Sequence, residues 1–332
     1  MRYLIKLKPL TPFFFGSEKT FGEGKNQNYF AKSNPFPQQT TVLGMLRKEL
    51  LIQAQLFKEH WNCYTPKDKQ KIEDLIGKPF RIKINNQNNF GKIKKLSPVF
   101  IECKDEFYIR RPLFDSNFEF KEITGQTFLN KSMKHIPFIK NYSPKEGLPD
   151  GFVASDSKNE KTFEEIFKDF VKVGNAKDKS EDDEDKFFKQ LFYTLSEDCS
   201  FAFFAELELD FDLNPAVVFM GADNSAFKMQ VQEANQSFDD LFVNQSEPGK
   251  ITLLSDALVD EKIYEHCKFA ITQIVDFRTI AMNYGKFDKK NNEKYEMLGR
   301  GSVLFFDEKE RNKITEKLNN NSLQQIGYNI YR

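Results

Sequence analysis

Phe201-Ala202-Phe203-Phe204-Ala205-Glu206-Leu207-Glu208-Leu209-Asp210-Phe211 carries an apolar side chain at every odd position, while Glu206, Glu208 and Asp210 fall at even ones. Side chains alternate across a strand, so this stretch predicts a strand whose acidic face is wet. Tyr3, Ile5 and Leu7 alternate in the same way near the start of the chain. Leu43, Leu46, Leu50, Ala54 and Phe57 recur instead at intervals of three and four, which predicts a helix from about Thr41 to about Phe57. Thr40 or Thr41 is placed to cap it, and Pro37 stops it extending backwards. Between the first strand and this helix runs a loop, 9–39, rich in Gly, Pro, Ser and Asn. Compact domains usually connect elements with about 4–6 residues, so a loop of this length is functional or disordered.

The rest of the chain repeats the alternation of elements. Phe80 to Ile84 reads as a strand, and Val99–Cys103 with Glu106–Ile109 as a hairpin turning at Lys104-Asp105, within 97–112. Helical spacing appears at Phe163, Ile166, Phe167 and Phe170, and again at Phe187, Phe188, Leu191 and Phe192. Strands are predicted at Val217–Met220, about Phe269 to Phe277, and Ser302–Phe306, with a helix near Phe238 and another capped by Asp307. Leu191, Phe192, Phe203 and Phe211 are assigned to the core. The pattern is α+β: two ferredoxin-like domains, 1–150 and 151–332, with long inserted loops. The second carries a charged segment, 174–185, whose acidic run has nothing to bury and reads as a mobile, solvated loop.

Composition sets outer bounds. With 39% hydrophobic residues, 30% charged and 36 Phe among 332, the chain has ample apolar surface to fold. Lysines break the apolar run at the N-terminus, and no stretch approaches the roughly 20 apolar residues of a membrane span, so a cytoplasmic location is expected. The net charge of zero at first argues against a polyanion partner. The charge is unevenly spread, however: residues 1–150 hold 26 Lys and Arg against 15 Asp and Glu, the remainder 23 against 34. Such asymmetry suits one face for nucleic acid and another for protein, or charge scattered within each half.

Chemistry is sparse. Cys63, Cys103, Cys199 and Cys267 lack the paired spacing of a zinc knuckle or disulfide scaffold and read as reduced, mostly packed thiols. His60, His135 and His266 do not assemble into a ligand set, and there is neither a P-loop nor a Ser elbow. No cofactor, metal or assembled active site is predicted.

The distinctive segment is Gly16-Ser17-Glu18-Lys19-Thr20-Phe21-Gly22-Glu23-Gly24, followed by Ala31-Lys32-Ser33-Asn34-Pro35-Phe36-Pro37-Gln38-Gln39-Thr40-Thr41-Val42-Leu43-Gly44-Met45-Leu46-Arg47. It delivers a glycine-rich loop onto a helix N-terminus, where free N–H groups and the dipole favour a phosphate. The order Ser33, Pro35, Pro37, Thr40, Gly44, Arg47 resembles the N-terminal signature of the third-subunit family of the Cmr complex, the type III-B CRISPR effector, within the RAMP superfamily. Ser97-Pro98-Val99-Phe100 with Phe107-Tyr108-Ile109-Arg110-Arg111-Pro112 is similar to that family's hairpin. Val173-Gly174-Asn175 and Phe219-Met220-Gly221-Ala222-Asp223-Asn224-Ser225 are similar to its Gly-Ile segment and its Leu-Gly-Gly-Glu turn. Gly299-Arg300-Gly301-Ser302-Val303 and Gln325-Ile326-Gly327-Tyr328 are similar to its Ala-Gly-Ser-Val strand and closing glycine motif.

The resemblance implies two RAMP domains and a non-catalytic role in antiviral defence. It implies that the chain holds the 5′ tag of the guide RNA and bridges the large polymerase-like subunit to the backbone subunit that cleaves target RNA. A RAMP endoribonuclease that processes repeat RNA is the alternative on the same fold. Lys19, Lys25 and Lys32 are the expected phosphate contacts, and Phe21 or Tyr29 either stacks on an extruded base or packs under the loop. Gly22 and Gly24 bring backbone close to the tag. Ser33, Gln38 and Gln39 are neutral donors at the helix start, and Thr40 is either a contact or the cap. Arg47 and Asn175 follow from the motif. Gly221 and Gly299–Gly301 allow close approach to RNA or to another strand, with Asn224, Lys228 and Arg300 beside them. Arg110 and Arg111 end the hairpin on RNA or in solvent.

Overall fold

The computed structural model describes the chain apart from residues 17–29, 59–63, 83–87, 115–118, 125–134, 142, 144, 146, 177–185, 222–223, 244–246, 279–281, 284–285 and 288–293. Strand β1 (Arg2–Pro9) and the short β2 (Phe30–Lys32) precede helices α1 (Gln39–Gln53) and α2 (Pro66–Ile76). Next come β3 (Ile93–Leu96), β4 (Phe100–Cys103), β5 (Glu106–Arg110), β6 (Glu119–Thr124), β7 (His135–Lys140), β8 (Phe152–Ala154) and β9 (Glu160–Lys161). The turn α3 (Phe163–Ile166) leads into β10 (Phe167–Ala176), β11 (Lys186–Leu195), β12 (Cys199–Leu207), β13 (Ala216–Met220) and β14 (Ser225–Glu233). The last part holds β15 (Lys250–Thr252), β16 (Phe269–Ile271), β17 (Ile274–Arg278), β18 (Met282–Asn283), β19 (Lys286–Phe287), β20 (Lys294–Leu298), β21 (Val303–Phe305), α4 (Arg311–Leu318) and α5 (Asn321–Gln325). The class is α+β.

The stretch that opens the sequence reading lies at the centre. β12 pairs antiparallel with β1, β3 and β4 in a nine-stranded sheet, eight strands in the order β13-β14-β1-β12-β4-β5-β8-β9 and β3 added alongside β12. Phe201, Phe203, Ala205 and Leu207 join Ile5, Leu7 and Ile101, and Val42, Leu46 and Leu50 of α1, in the larger core. Each fully buried Phe contributes about 1.5–3 kcal/mol relative to exposure. The opposite face of β12 is not wet along its whole length, as the alternation suggested. Ala202 and Phe204 are buried with Leu4 and Phe100 beneath Phe238 and Phe242, which flank and enter the turn Asp239–Val243. Only from Glu206, paired with Arg2 at 2.9 Å, does that face meet solvent. Because β1 lies between β12 and β14, and β5 pairs β8, the sheet continues across residue 150.

Several expectations need correction. Helix α1 starts at Gln39 with Gln38 as its N-cap and no side-chain cap, so neither Thr40 nor Thr41 caps it, and it ends at Gln53. Phe80–Ile82 are not in a strand, and the remainder of that segment lies outside the described residues. Helix α2, with a Thr65–Asp68 capping box and Pro66 in its first turn, had not been anticipated. The Lys104-Asp105 hairpin forms as read, with both residues at positive φ (52° and 64°), as a two-residue turn matched to strand twist requires.

The two helices expected at 163–170 and 187–192 are instead one long hairpin. A capping box at Thr162 starts a helix, but it stops after one turn. Phe167–Ala176 then pairs with Lys186–Leu195 in continuous antiparallel register. Aromatic and β-branched residues fill both segments, and ten residues of ladder outweigh a local helical period.

The cysteine reading also changes. Cys103 and Cys199 are register partners on β4 and β12, with Cα atoms 4.2 Å apart, and form a disulfide. Partners 96 residues apart show no sequence spacing that could announce them. Cys267 is free and half-buried, its thiol pushed up to about 11 by desolvation; Cys63 lies outside the described residues.

Candidate nucleic-acid interface

The loop preceding α1 becomes a rigid wall through Pro35-Phe36-Pro37. The two prolines restrict the backbone, and the Phe36 ring is inserted among Phe167, Phe201 and Phe152 at 5.7, 5.8 and 6.0 Å. The Arg300 guanidinium lies 4.3 Å from the same ring. Arg300 is fixed further: its N–H donates to Asp256 Oδ1 at 3.0 Å, its Nη1 donates to the Val99 carbonyl at 3.0 Å, and its Nη2 lies 3.4 Å from Asp256 Oδ2. Next to it, Gly301 sits at φ 86°, and a Cβ there would come within 2.7 Å of the Arg111 carbonyl. That glycine lets the 299–301 turn reach the end of β5. There Arg110 pairs with Asp150 at 2.7 Å; burial pushes its pKa down, with Arg300 adding to the shift and Asp150 opposing it.

These elements enclose a groove of about 660 Å³. Its walls come from β2 and the following loop (Phe30, Lys32, Ser33, Phe36, Gln38), from Arg110 and Asp150, from Phe163, Glu164 and Tyr193, and from Asp256, Gln273, Val275, Gly299 and Arg300. Lys32, Arg110 and Arg300 face Asp150, Glu164 and Asp256, so the lining is close to electroneutral. Six residues singled out in the sequence meet here: Lys32, Ser33, Gln38, Arg110, Gly299 and Arg300.

They are not equally available. Lys32 is exposed, its ammonium 5.9 Å from the Tyr193 ring. Gln38 is half-buried and makes only a 3.5 Å contact with the Asp276 carbonyl. The Ser33 hydroxyl is occupied internally, accepting from the Phe15 N–H at 2.9 Å and donating to the Asn34 carbonyl at 2.8 Å. Arg300 is committed to Asp256, Val99 and Phe36, which makes it part of the groove's frame.

The other predicted residues lie elsewhere. Gln39 is buried, donating to the Ser97 carbonyl at 2.8 Å. The Thr40 N–H donates to the Tyr328 hydroxyl at 3.4 Å, so one of the helix's first donors is used by the closing segment rather than left for a phosphate. Arg47 reaches back to the Lys78 and Asn89 carbonyls at 2.8 and 3.4 Å and over Phe90; burial lowers its pKa to about 10. Gly221, Asn224 and Lys228 sit on the β13–β14 hairpin and do not line the groove. Gly221, at φ 82°, serves close approach to protein, since a Cβ would come within 2.6 Å of the Phe14 carbonyl. Arg111 pairs with Glu160 at 3.0 Å. Asn175 lies in β10, opposite Phe187. Lys19, Phe21, Gly22, Gly24, Lys25 and Tyr29 lie outside the described residues, as does His60.

Sequence reasoning missed Phe36, Asp150, Asp256 and Gln273. Only Phe36 carried a local signal, an aromatic held between two prolines. His266 pairs with Glu310 at 2.9 Å and does not line the groove. Among the described residues, no three His, Cys, Asp or Glu are grouped to hold a metal, and no helix is long and apolar enough to cross a membrane.

A family model described as CRISPR-associated protein (Cas_Cmr3) matches residues 5–331. Among solved structures, the chain is similar to a chain of the Type III-B Cmr-beta complex bound to cognate target RNA, with TM-score 0.53 and 16% identity over 100% of this chain and 96% of that one. A chain of the same complex with target RNA and AMPPnP gives TM-score 0.53 and 15% identity over 99% and 95%. At these identities the likeness is one of fold. No curated protein matches the chain.

Proposed function

Because the chain belongs to the Cas_Cmr3 family of CRISPR-associated proteins, we propose that it holds the 5′ tag of a guide RNA in the groove between the Pro-Phe-Pro wall and the Arg300 turn. The role is non-catalytic and cytoplasmic, and the chain joins a large polymerase-like subunit to a backbone subunit that cleaves target RNA. The observation that carries the reading is convergence: Lys32, Ser33 and Gln38 meet Arg300 across more than 260 residues of sequence, on one groove. An electroneutral groove with apolar walls and the amides of Gln38 and Gln273 suits unstacked bases read on their edges better than a row of phosphates. Phosphate attraction then falls to exposed lysines at the rim, of which Lys32 is one.

The test is binding of the purified chain, and of the reconstituted complex, to guide RNA with its natural tag or a scrambled one. A preference for the natural tag that falls in Gln38→Ala and Gln273→Ala, with the fold intact by circular dichroism, supports the groove. Equal affinity for both tags, or a preference untouched by either variant, removes it. Specific cleavage of repeat RNA by the chain alone would overturn the non-catalytic role.

A further inference from the structure

One surface beside the groove shares only Phe30 and Lys32 with it. β10, β11 and β2 form a separate three-stranded sheet, and its register places Val173, Lys189 and Phe30 in one row and Val171, Leu191 and Lys32 in the next, on the same face. Phe30, Val171 and Val173 are 44%, 46% and 67% exposed. The Lys189 ammonium lies 5.7 Å from the Phe30 ring centre, and Lys32 is similarly placed at Tyr193. Phe30 and Lys32 also line the groove, so the face is continuous with it.

We propose that this face is a single-strand platform: the guide RNA leaves the groove over β2 and lays an unpaired base on Phe30, with Lys189 and Lys32 on the flanking phosphates. The inference rests on the guide-RNA reading of the groove and extends it to a specific substrate form, splayed single strand rather than duplex. An exposed aromatic costs solvation unless something covers it. A base does so for any sequence, because every base presents a π-face. Two ammonium groups rising from an apolar face supply the complementary charge, and neither is engaged by a carboxylate in an ion pair among the described residues. Within a base-paired duplex no face is free to stack, so the platform discriminates by strandedness.

The experiment is fluorescence anisotropy of the full chain with a labelled guide, single-stranded or annealed to its complement, with tagged and scrambled-tag forms. Phe30→Ala is expected to weaken single-strand binding by about 5- to 150-fold and duplex binding little, while Phe30→Trp retains it. Lys189→Gln should flatten the salt dependence by about 0.7 in the log–log slope. The ratio of tagged to scrambled affinity belongs to the groove and should survive Lys189→Gln, since Lys189 does not line it. A wild type that binds single strands without tag preference, yet loses them in Phe30→Ala, sinks the groove reading and keeps the platform. Phe30→Ala within twofold of wild type, or Phe30→Trp as weak as Phe30→Ala, overturns the platform. Normal RNA binding with failed assembly of the complex overturns it too, and makes the face a protein contact. No binding of any single strand overturns both.

Discussion

Arg300 is expected to contact RNA, and its bonds to Asp256 and Val99 also make it part of the groove's frame, a contribution that can be measured. Its side chain and that of Asp256 are 11% and 14% exposed, so Arg300→Leu leaves a nearly buried carboxylate without its cation. Losing one partner of such a pair costs about 3–5 kcal/mol. A charged donor to the Val99 carbonyl is worth about 1.5–3 kcal/mol, and the contact with Phe36 about 2 when dry. These losses overlap and do not add, so the pair-breaking figure is the one to use. With a urea m-value of about 3 kcal/mol/M for a chain of this size, the unfolding midpoint should fall by about 1–1.7 M. Adding Asp256→Asn keeps an acceptor for the Arg300 N–H while removing the stranded charge, and should recover roughly half of the loss. Urea titration followed by circular dichroism reads all three proteins. If Arg300→Leu unfolds at the wild-type midpoint while tag preference disappears, Arg300 touches RNA directly and the frame argument is wrong.

Other expectations follow from the same contacts. Lys6 and Glu102 pair at 3.3 Å with side chains 11% and 9% exposed; Lys6→Met should cost about 3–5 kcal/mol and Lys6→Met with Glu102→Leu much less, so equal losses would refute the pairing. Replacing Cys103 and Cys199 by Ala opens a 96-residue separation and should lower stability by about 4–5 kcal/mol in oxidising buffer and not in dithiothreitol; a thiol assay finding both cysteines free in the oxidised protein would contradict the bridge. The Glu308 carboxyl is held down to about 2, first by the Arg311 side chain and then by the Gly249 N–H. Its folded pKa lies below the ordinary value, so its stabilisation is present above pH about 4.5 and disappears as pH falls toward 2. Arg311→Ala should return the titration, followed by NMR, toward the ordinary range, and an unmoved curve would refute the assignment.

What the sequence showed and what it hid divide along a physical line. Period-two alternation located β1 and β12, because a strand with one face more deeply buried writes that burial into alternate residues, while short apolar runs located β13 and the β4–β5 hairpin. The β10–β11 hairpin was misread because its apolar residues also satisfy a helical period, and only pairing with a distant segment decides between the two. The same holds for the site. Lys32, Ser33 and Gln38 stand in one stretch beside two prolines and could be found. Asp150, Asp256 and Gln273 join them only through sheet register and the tight approach at Gly301, and the Cys103–Cys199 bridge depends on register in the same way. Gln39 and Arg47 belong to the motif, yet they act inward, on the Ser97 carbonyl and on the loop around Lys78 and Asn89, so a matched pattern did not distinguish a contact from a brace.

The charge asymmetry acquires a narrower meaning once the groove is known. The chain's two halves differ by 26 basic against 15 acidic residues and 23 against 34, yet the groove takes from both, with Lys32, Arg110 and Asp150 from one and Glu164, Asp256 and Arg300 from the other. Each arginine already holds a carboxylate, so an incoming phosphate would have to displace an ion pair to gain one. The floor should therefore contribute little to the salt dependence of RNA binding, and the exposed lysines most of it. Lys32→Gln and Lys189→Gln together should flatten the log–log slope by about 1.4, at about 0.7 per single-strand contact, while Arg110→Gln changes stability more than slope. A slope that drops with Arg110→Gln and ignores the lysines would put the phosphates on the groove floor and reverse this division of labour.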